Sequence, residues 1–174
     1  MTSLSRIAHR FAYGKHGEIN QVRKYTGEPY IVHPAAVVKL VSGVPHTEEM
    51  LAAAWLHDTV EDTDTTIEEI QSEFGKEVAE LVEMLTDVSK PEDGNRTIRK
   101  ALDRHHLAEA SPEAKTIKLA DLIDNSRSII KYDPGFAKVF IPEMGLLVHR
   151  LHQGNSNMRQ RANRIINDYK ETLL

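Results

Sequence analysis

Thr47-Glu-Glu-Met-Leu-Ala-Ala-Ala-Trp-Leu-His-Asp-Thr-Val-Glu-Asp62 decides how this chain is read. Leu51, Ala54, Trp55 and Asp58 recur at helical spacing. The run predicts one helix from about Thr47 to Asp62. A histidine and an aspartate, His57 and Asp58, sit inside its apolar part, where an aspartate is rare unless paired or bound to a metal. At four-residue spacing Glu61 falls beside His57, and Asp62 beside Asp58. One imidazole and three carboxylates on one helix repel each other. Either a cation or solvent exposure with arginine and lysine partners relieves that repulsion. Acids at a helix C-terminus oppose the helix dipole, which favours the cation.

Outward from this stretch the same periodicity continues. Leu4, Ile7, Ala8 and Phe11 predict a first helix behind Thr2 or Ser3 as cap. Gly14 to Pro34 is polar and glycine-rich and is expected to be a long loop, a feature uncommon in a small domain unless functional. Pro34 suits the first turn of a helix running to about Ser42. Thr66 and Glu69 form a capping-box pattern ahead of Ile70 and Phe74, Gly75 breaks that helix, and Val78 to Leu85 carry the next. Lys90 to Asn95 is a turn, and Arg96 to about Ala108 a basic helix. Ser111-Pro112-Glu113 starts a helix to about Lys131. Asp133-Pro134-Gly135 ends it, and two more helices separated near Gly154-Asn155 complete the chain. No strand alternation stands out. The expectation is an all-α fold, a single-domain helical bundle over residues 1–174.

Composition excludes several classes. There is no cysteine among the 174 residues, so disulfides, thiolate metal sites and thiol nucleophiles are ruled out. The net charge of −4 gives no global basic footprint for duplex nucleic acid. No apolar run approaches the ~20 residues of a membrane span. No nucleic-acid or membrane partner is expected, the location is expected to be cytoplasmic, and oligomeric state is left open. The cluster Arg159 to Arg164 lacks the interleaved aromatics of an RNA-binding surface.

Asp121, in Ile117-Lys-Leu-Ala-Asp-Leu-Ile123, is a second carboxylate embedded in an apolar helical run. His33 stands where a helix begins after the polar loop. Two histidines and two aspartates make a plausible shell for a divalent ion. Imidazole with carboxylate suits manganese, iron or zinc better than calcium or magnesium. The two aspartates balance the ion's charge, so a phosphate can still approach, and such an ion acidifies water toward neutral pH.

His33, the doublet His57-Asp58 and the distant Asp121 match the pattern of the HD superfamily. The flanks are more specific. Gly27-Glu-Pro-Tyr-Ile-Val-His33-Pro34, Trp55-Leu-His-Asp-Thr-Val-Glu-Asp-Thr63 and Ile117-Lys-Leu-Ala-Asp121 through Asn125 resemble the hydrolase domain of RelA/SpoT proteins, over roughly residues 5–130. The last forty or so residues carry no matching motif. The resemblance implies removal of the 3′-diphosphate from the alarmones ppGpp and pppGpp with manganese. With no synthetase domain or regulatory tail in the sequence, it implies a stand-alone small alarmone hydrolase.

Carried over by residue, His33, His57, Asp58 and Asp121 are implied as metal ligands, and Glu61 and Asp62 as the acidic pair that handles protons. Arg23, Lys24, Arg96 and Asn125 are implied as contacts to the nucleotide and its phosphates. Arg99, Lys100 and Arg104 are equally consistent with a solvated basic face. His105, His106, His149 and His152 read as structural or surface residues, and Tyr30 as packing beside the site. One departure stands out: the long hydrolases carry Arg-Leu-His after the last aspartate, where this chain has Leu122, Ile123 and Asp124. That leaves base recognition open. NADPH 2′-dephosphorylation, hydrolysis of another nucleotide and a non-catalytic alarmone sensor are the competing functions.

Overall fold

The computed structural model describes residues 3–173. The expected all-α fold is borne out: helices carry the described chain, and its one β feature is an isolated bridge between Val22 and Pro29. The chain divides into two compact units, residues 1–86 and 87–174.

The first unit holds α1 (Leu4–Glu18), α2 (Val32–Val41), α3 (Glu48–Leu56), α4 (Thr59–Asp62), α5 (Ile67–Phe74) and α6 (Lys76–Leu85). Helix α3 is its centre, packed against α1, α2 and α6. Ala52, Ala53, Ala54 and Leu56 are fully buried, so α3 is apolar on all sides, as a helix surrounded by others must be. Its small side chains let neighbouring backbones approach, and its C-terminal end delivers His57 and Asp58.

Two expectations need correction here. The loop expected from Gly14 begins only after Glu18, because α1 runs through Gly14 and Gly17. Each glycine costs a helix about 0.5–1 kcal/mol, and burial of Ala8, Ala12 and His16 offsets it. Ser3 is the cap of this helix, its side chain accepting from the Arg6 N–H; Thr2 lies outside the described residues. Helix α2 starts at Val32 and holds Pro34 in its first turn, as expected. Pro34 is harmless there, since the first turn has no N–H that an intrahelical partner needs.

The helix expected from Thr47 to Asp62 is the second correction, because it is interrupted at His57-Asp58. The Thr59 hydroxyl donates to the Leu56 carbonyl at 2.7 Å, and His57 Nδ1 lies 2.9 Å from the Ala54 carbonyl. These side chains take carbonyls at the end of α3, which competes with helix continuation. Glu61 and Asp62 therefore sit on the short α4, and the dipole argument from a long helix does not apply to them.

The second unit holds a single 3-10 turn at Pro91–Asp93, then α7 (Arg96–Ala108), α8 (Pro112–Tyr132), α9 (Pro134–Arg150) and α10 (Ser156–Glu171). Helix α8 packs on α9 and α10, and α7 on α9. The Ser111 cap accepts from the Ala114 N–H with Pro112 in the first turn, as its sequence predicts. Asp133-Pro134 both ends α8 and caps α9, its carboxylate accepting from the Phe136 N–H at 3.0 Å. Ala114 through Ile117, Leu119 and Ala120 are buried, so Asp121 on the same helix is held inside the unit. Where α10 approaches α8, the chain passes at Gly154: a Cβ there would lie 3.1 Å from the Lys115 backbone carbon. The Asn155 N–H then donates to Thr116 Oγ1 at 2.9 Å.

Candidate metal centre and a cavity of the second unit

In the first unit, α2 and the end of α3 bring three sequence-assigned residues together. One ligand atom each from His33, His57 and Asp58 lie within 4.8 Å of one another, the one such group among the described residues. His57 Nε2 is 3.1 Å and His33 Nε2 3.5 Å from Asp58 Oδ2. Both imidazoles are buried, and their rings meet edge to face at 5.2 Å.

The tautomer of His57 follows from its surroundings. A carbonyl only accepts, so the contact to Ala54 requires the proton on Nδ1 and leaves the Nε2 lone pair toward Asp58. A ligating histidine is commonly fixed this way through its other nitrogen. Two nitrogen lone pairs and a carboxylate oxygen, gathered where α3 ends, fit a divalent ion of the manganese, iron or zinc type.

Behind this trio stands a residue whose role the sequence understated. Tyr30, expected only to pack, donates its hydroxyl to Asp58 Oδ2 at 2.6 Å. Its ring also contacts His33, with centroids 5.8 Å apart. The phenol of Tyr30 is visible in the sequence, but its partner Asp58 lies 28 residues away and nothing local sets the register between them. Tyr30→Phe is expected to keep the fold and weaken divalent-ion affinity by about 10–100-fold, the usual cost of losing a hydrogen bond behind a ligand. Calorimetric titration with manganese checks this.

Glu61 and Asp62 follow on α4 and are exposed. Asp62 Oδ2 accepts from Gln21 Nε2 at 2.8 Å. Arg23 and Lys24 lie on the loop that closes across the Val22–Pro29 bridge, where the Arg23 N–H donates to the Glu28 carbonyl at 2.8 Å. Gly27 makes the turn with φ of 70°, which a side chain would strain. The Arg23 guanidinium lies 5.9 Å from the centre of the Tyr30 ring, and the Lys24 ammonium 4.9 Å from that of Tyr25.

In the second unit the other three assigned residues, Arg96, Asp121 and Asn125, line one cavity of about 320 Å³. Asp121 is buried, bridged by Lys118 Nζ at 2.9 Å and by Asn125 Nδ2 at 2.6 Å. Arg96 makes a two-point ion pair with Glu143, at 2.9 and 2.7 Å, and lies over the Phe136 ring. That pairing holds its pKa above the ordinary arginine value. Lys100 and Arg104 also line the cavity, with Lys100 paired to Asp87 at 2.8 Å. They are thus more than a solvated face. His105, His149 and His152 are exposed and His106 half-buried, in line with the surface reading.

The chain belongs to the HD-domain family, whose model matches residues 8–137. Within that family it is similar to enzymes named guanosine-3′,5′-bis(diphosphate) 3′-pyrophosphohydrolase. It is 44% identical to that of Aquifex aeolicus over 126 residues, 70% of this chain but 17% of that protein. It is 42% identical to the short form of Xenopus tropicalis, MESH1, over 136 residues, 73% of this chain and 70% of that protein. The chain thus spans about a sixth of the length of the long bacterial relatives it matches. Among solved structures, a metazoan ortholog of SpoT that hydrolyzes ppGpp superposes with a TM-score of 0.85 at 29% identity, covering 97% of each chain. Among the described residues, no helix is long and apolar enough to cross a membrane.

Proposed function

We propose that this chain is a metal-dependent phosphohydrolase that converts ppGpp or pppGpp to GDP or GTP and pyrophosphate. The observation that carries the reading is the trio of His33, His57 and Asp58, both imidazoles buried, in a chain 42% identical over 136 residues to a named pyrophosphohydrolase. Asp121 is assigned as the fourth ligand on its motif; within its own unit its carboxylate is held by Lys118 and Asn125. We take residues 1–174 as a single HD-type domain, a reading supported by the family model, whose match over residues 8–137 extends into both units. Manganese is the assigned metal, and a cytoplasmic location belongs to the same proposal.

When bound, a divalent ion polarises the phosphoryl group and eases the deprotonation of water. The chain's own residues do the rest. Water attacks the phosphorus bonded to the ribose 3′-oxygen, and the bond from that phosphorus to the 3′-oxygen breaks. Of Glu61 and Asp62, one accepts the proton from the attacking water, and the pair returns a proton to the leaving 3′-oxygen. Arg23, Lys24 and Arg96 stabilise negative charge on the transferring diphosphate. Asn125 contacts the nucleotide.

A substrate panel tests this reading. Phosphorus NMR of the manganese-loaded protein with ppGpp, pppGpp and NADPH is expected to show pyrophosphate from the first two. Orthophosphate from NADPH alone would move the substrate to a 2′-phosphate, and tight ppGpp binding without turnover would make the chain a sensor.

A further inference from the structure

The mechanism above leaves His16 and Gln21 unused, yet the structure spends five interactions on them. His16 is 2% exposed at the last turn of α1. Its Nδ1 lies 2.6 Å from Gln21 Oε1, and Gln21 Nε2 in turn donates to Asp62 Oδ2 at 2.8 Å. The backbone of Gln21 is clamped on both sides: its N–H donates to the His16 carbonyl and its carbonyl accepts from the Tyr30 N–H, each at 3.0 Å. The His16 ring lies 4.7 Å from that of Tyr30, which itself holds Asp58.

This network has one consistent proton arrangement. A carboxylate accepts only, so Gln21 must present its NH₂ to Asp62 and its oxygen to His16. His16 must then carry its proton on Nδ1. Burial pushes the His16 pKa down, so the ring is neutral and has a single proton to give. Its Nε2 is buried and has no hydrogen-bond partner, which leaves Nδ1 as its sole side-chain tie.

We infer that His16 and Gln21 are positioning residues that hold Asp62 for proton transfer, His16 fixing the orientation of the Gln21 amide and Gln21 fixing the carboxylate. The inference rests on the reading of Asp62 as one of the proton-handling pair. Asp62 needs such a tie, because it is exposed on a helix of four residues. With one oxygen engaged by a fixed donor, the carboxylate keeps one rotamer while its other oxygen meets the proton. A misplacement of about 1 Å at a reacting group costs up to roughly 100-fold in rate.

Two measurements test the relay. Nitrogen-15 NMR of the metal-free protein is expected to show His16 protonated at Nδ1 and bare at Nε2; protonation at Nε2 instead would overturn the relay, whatever the substrate proves to be. Kinetics then compare Gln21→Met, which keeps volume and removes both hydrogen bonds, with Gln21→Glu, which sets a second carboxylate against Asp62. Both are expected to lower kcat for ppGpp by about 10–100-fold, with KM and manganese affinity unchanged and helix content retained by circular dichroism. In an Asp62→Ala background, Gln21→Met is expected to cost nothing further. An equal loss in both backgrounds, or no loss in either, overturns the relay and leaves Asp62 in place. Full activity of Asp62→Ala alone overturns the role of Asp62 and the relay with it.

Discussion

Asp58→Ala is expected to lower manganese affinity by well over about 100-fold, more than the loss of a hydrogen bond behind a ligand costs, and to bring turnover close to background. Asp58 is the point where the trio converges, with its Oδ2 atom 3.1 and 3.5 Å from the two imidazoles. No neighbour on α4 replaces that oxygen. The fold should survive: Asp58 is only half-buried, and the main loss is the acceptor for Tyr30, worth about 1–3 kcal/mol at most. Helix content by circular dichroism and bound manganese by calorimetry separate the two effects. A variant that binds manganese as tightly as the parent removes Asp58 from the ligand set.

Glu61→Ala is expected to behave differently in one measurable respect. Metal stays bound, because Glu61 is not one of the clustered ligands, while kcat falls by about 10²–10⁴-fold, the range of general acid-base catalysis. The residue is exposed, so its removal should leave stability within about 0.5 kcal/mol of the parent. Steady-state kinetics at saturating manganese, beside a thermal melt, checks both parts. Full activity would remove Glu61 from the proton path. The contrast with Asp58→Ala separates holding the ion from moving the proton.

These expectations could be framed largely from sequence, for physical reasons. Helix starts depend on local chemistry, so Ser111-Pro112 and the Arg96 boundary of α7 were legible from a few residues. The trio was legible because a histidine and an aspartate inside Leu51–Leu56 and its continuation contradict the apolar environment that surrounds them. Interruption of that helix was not legible, since it depends on Thr59 and His57 turning back onto carbonyls of the preceding turn. Extension of α1 through two glycines was set by packing on α3, a tertiary effect that overrides propensity.

The tyrosine at position 30 and the pair His16 and Gln21 were harder still. Their partners, Asp58 and Asp62, lie 28 and 41 residues from Tyr30 and Gln21 in sequence. Hydrogen bonds at that separation leave no periodic trace. Arg96 gives the converse case: its place at the start of a basic helix was readable, whereas its ion pair with Glu143, 47 residues away, was not.

The decisive assignment is that His33, His57 and Asp58 hold a metal which the reaction requires. It is tested most directly by pyrophosphate release from ppGpp with metal-stripped protein, before and after manganese is restored. No release is expected from the stripped protein, and sustained release, with GDP as co-product, once manganese is added. Release at the same rate without metal, or none with manganese bound at the trio, would contradict it.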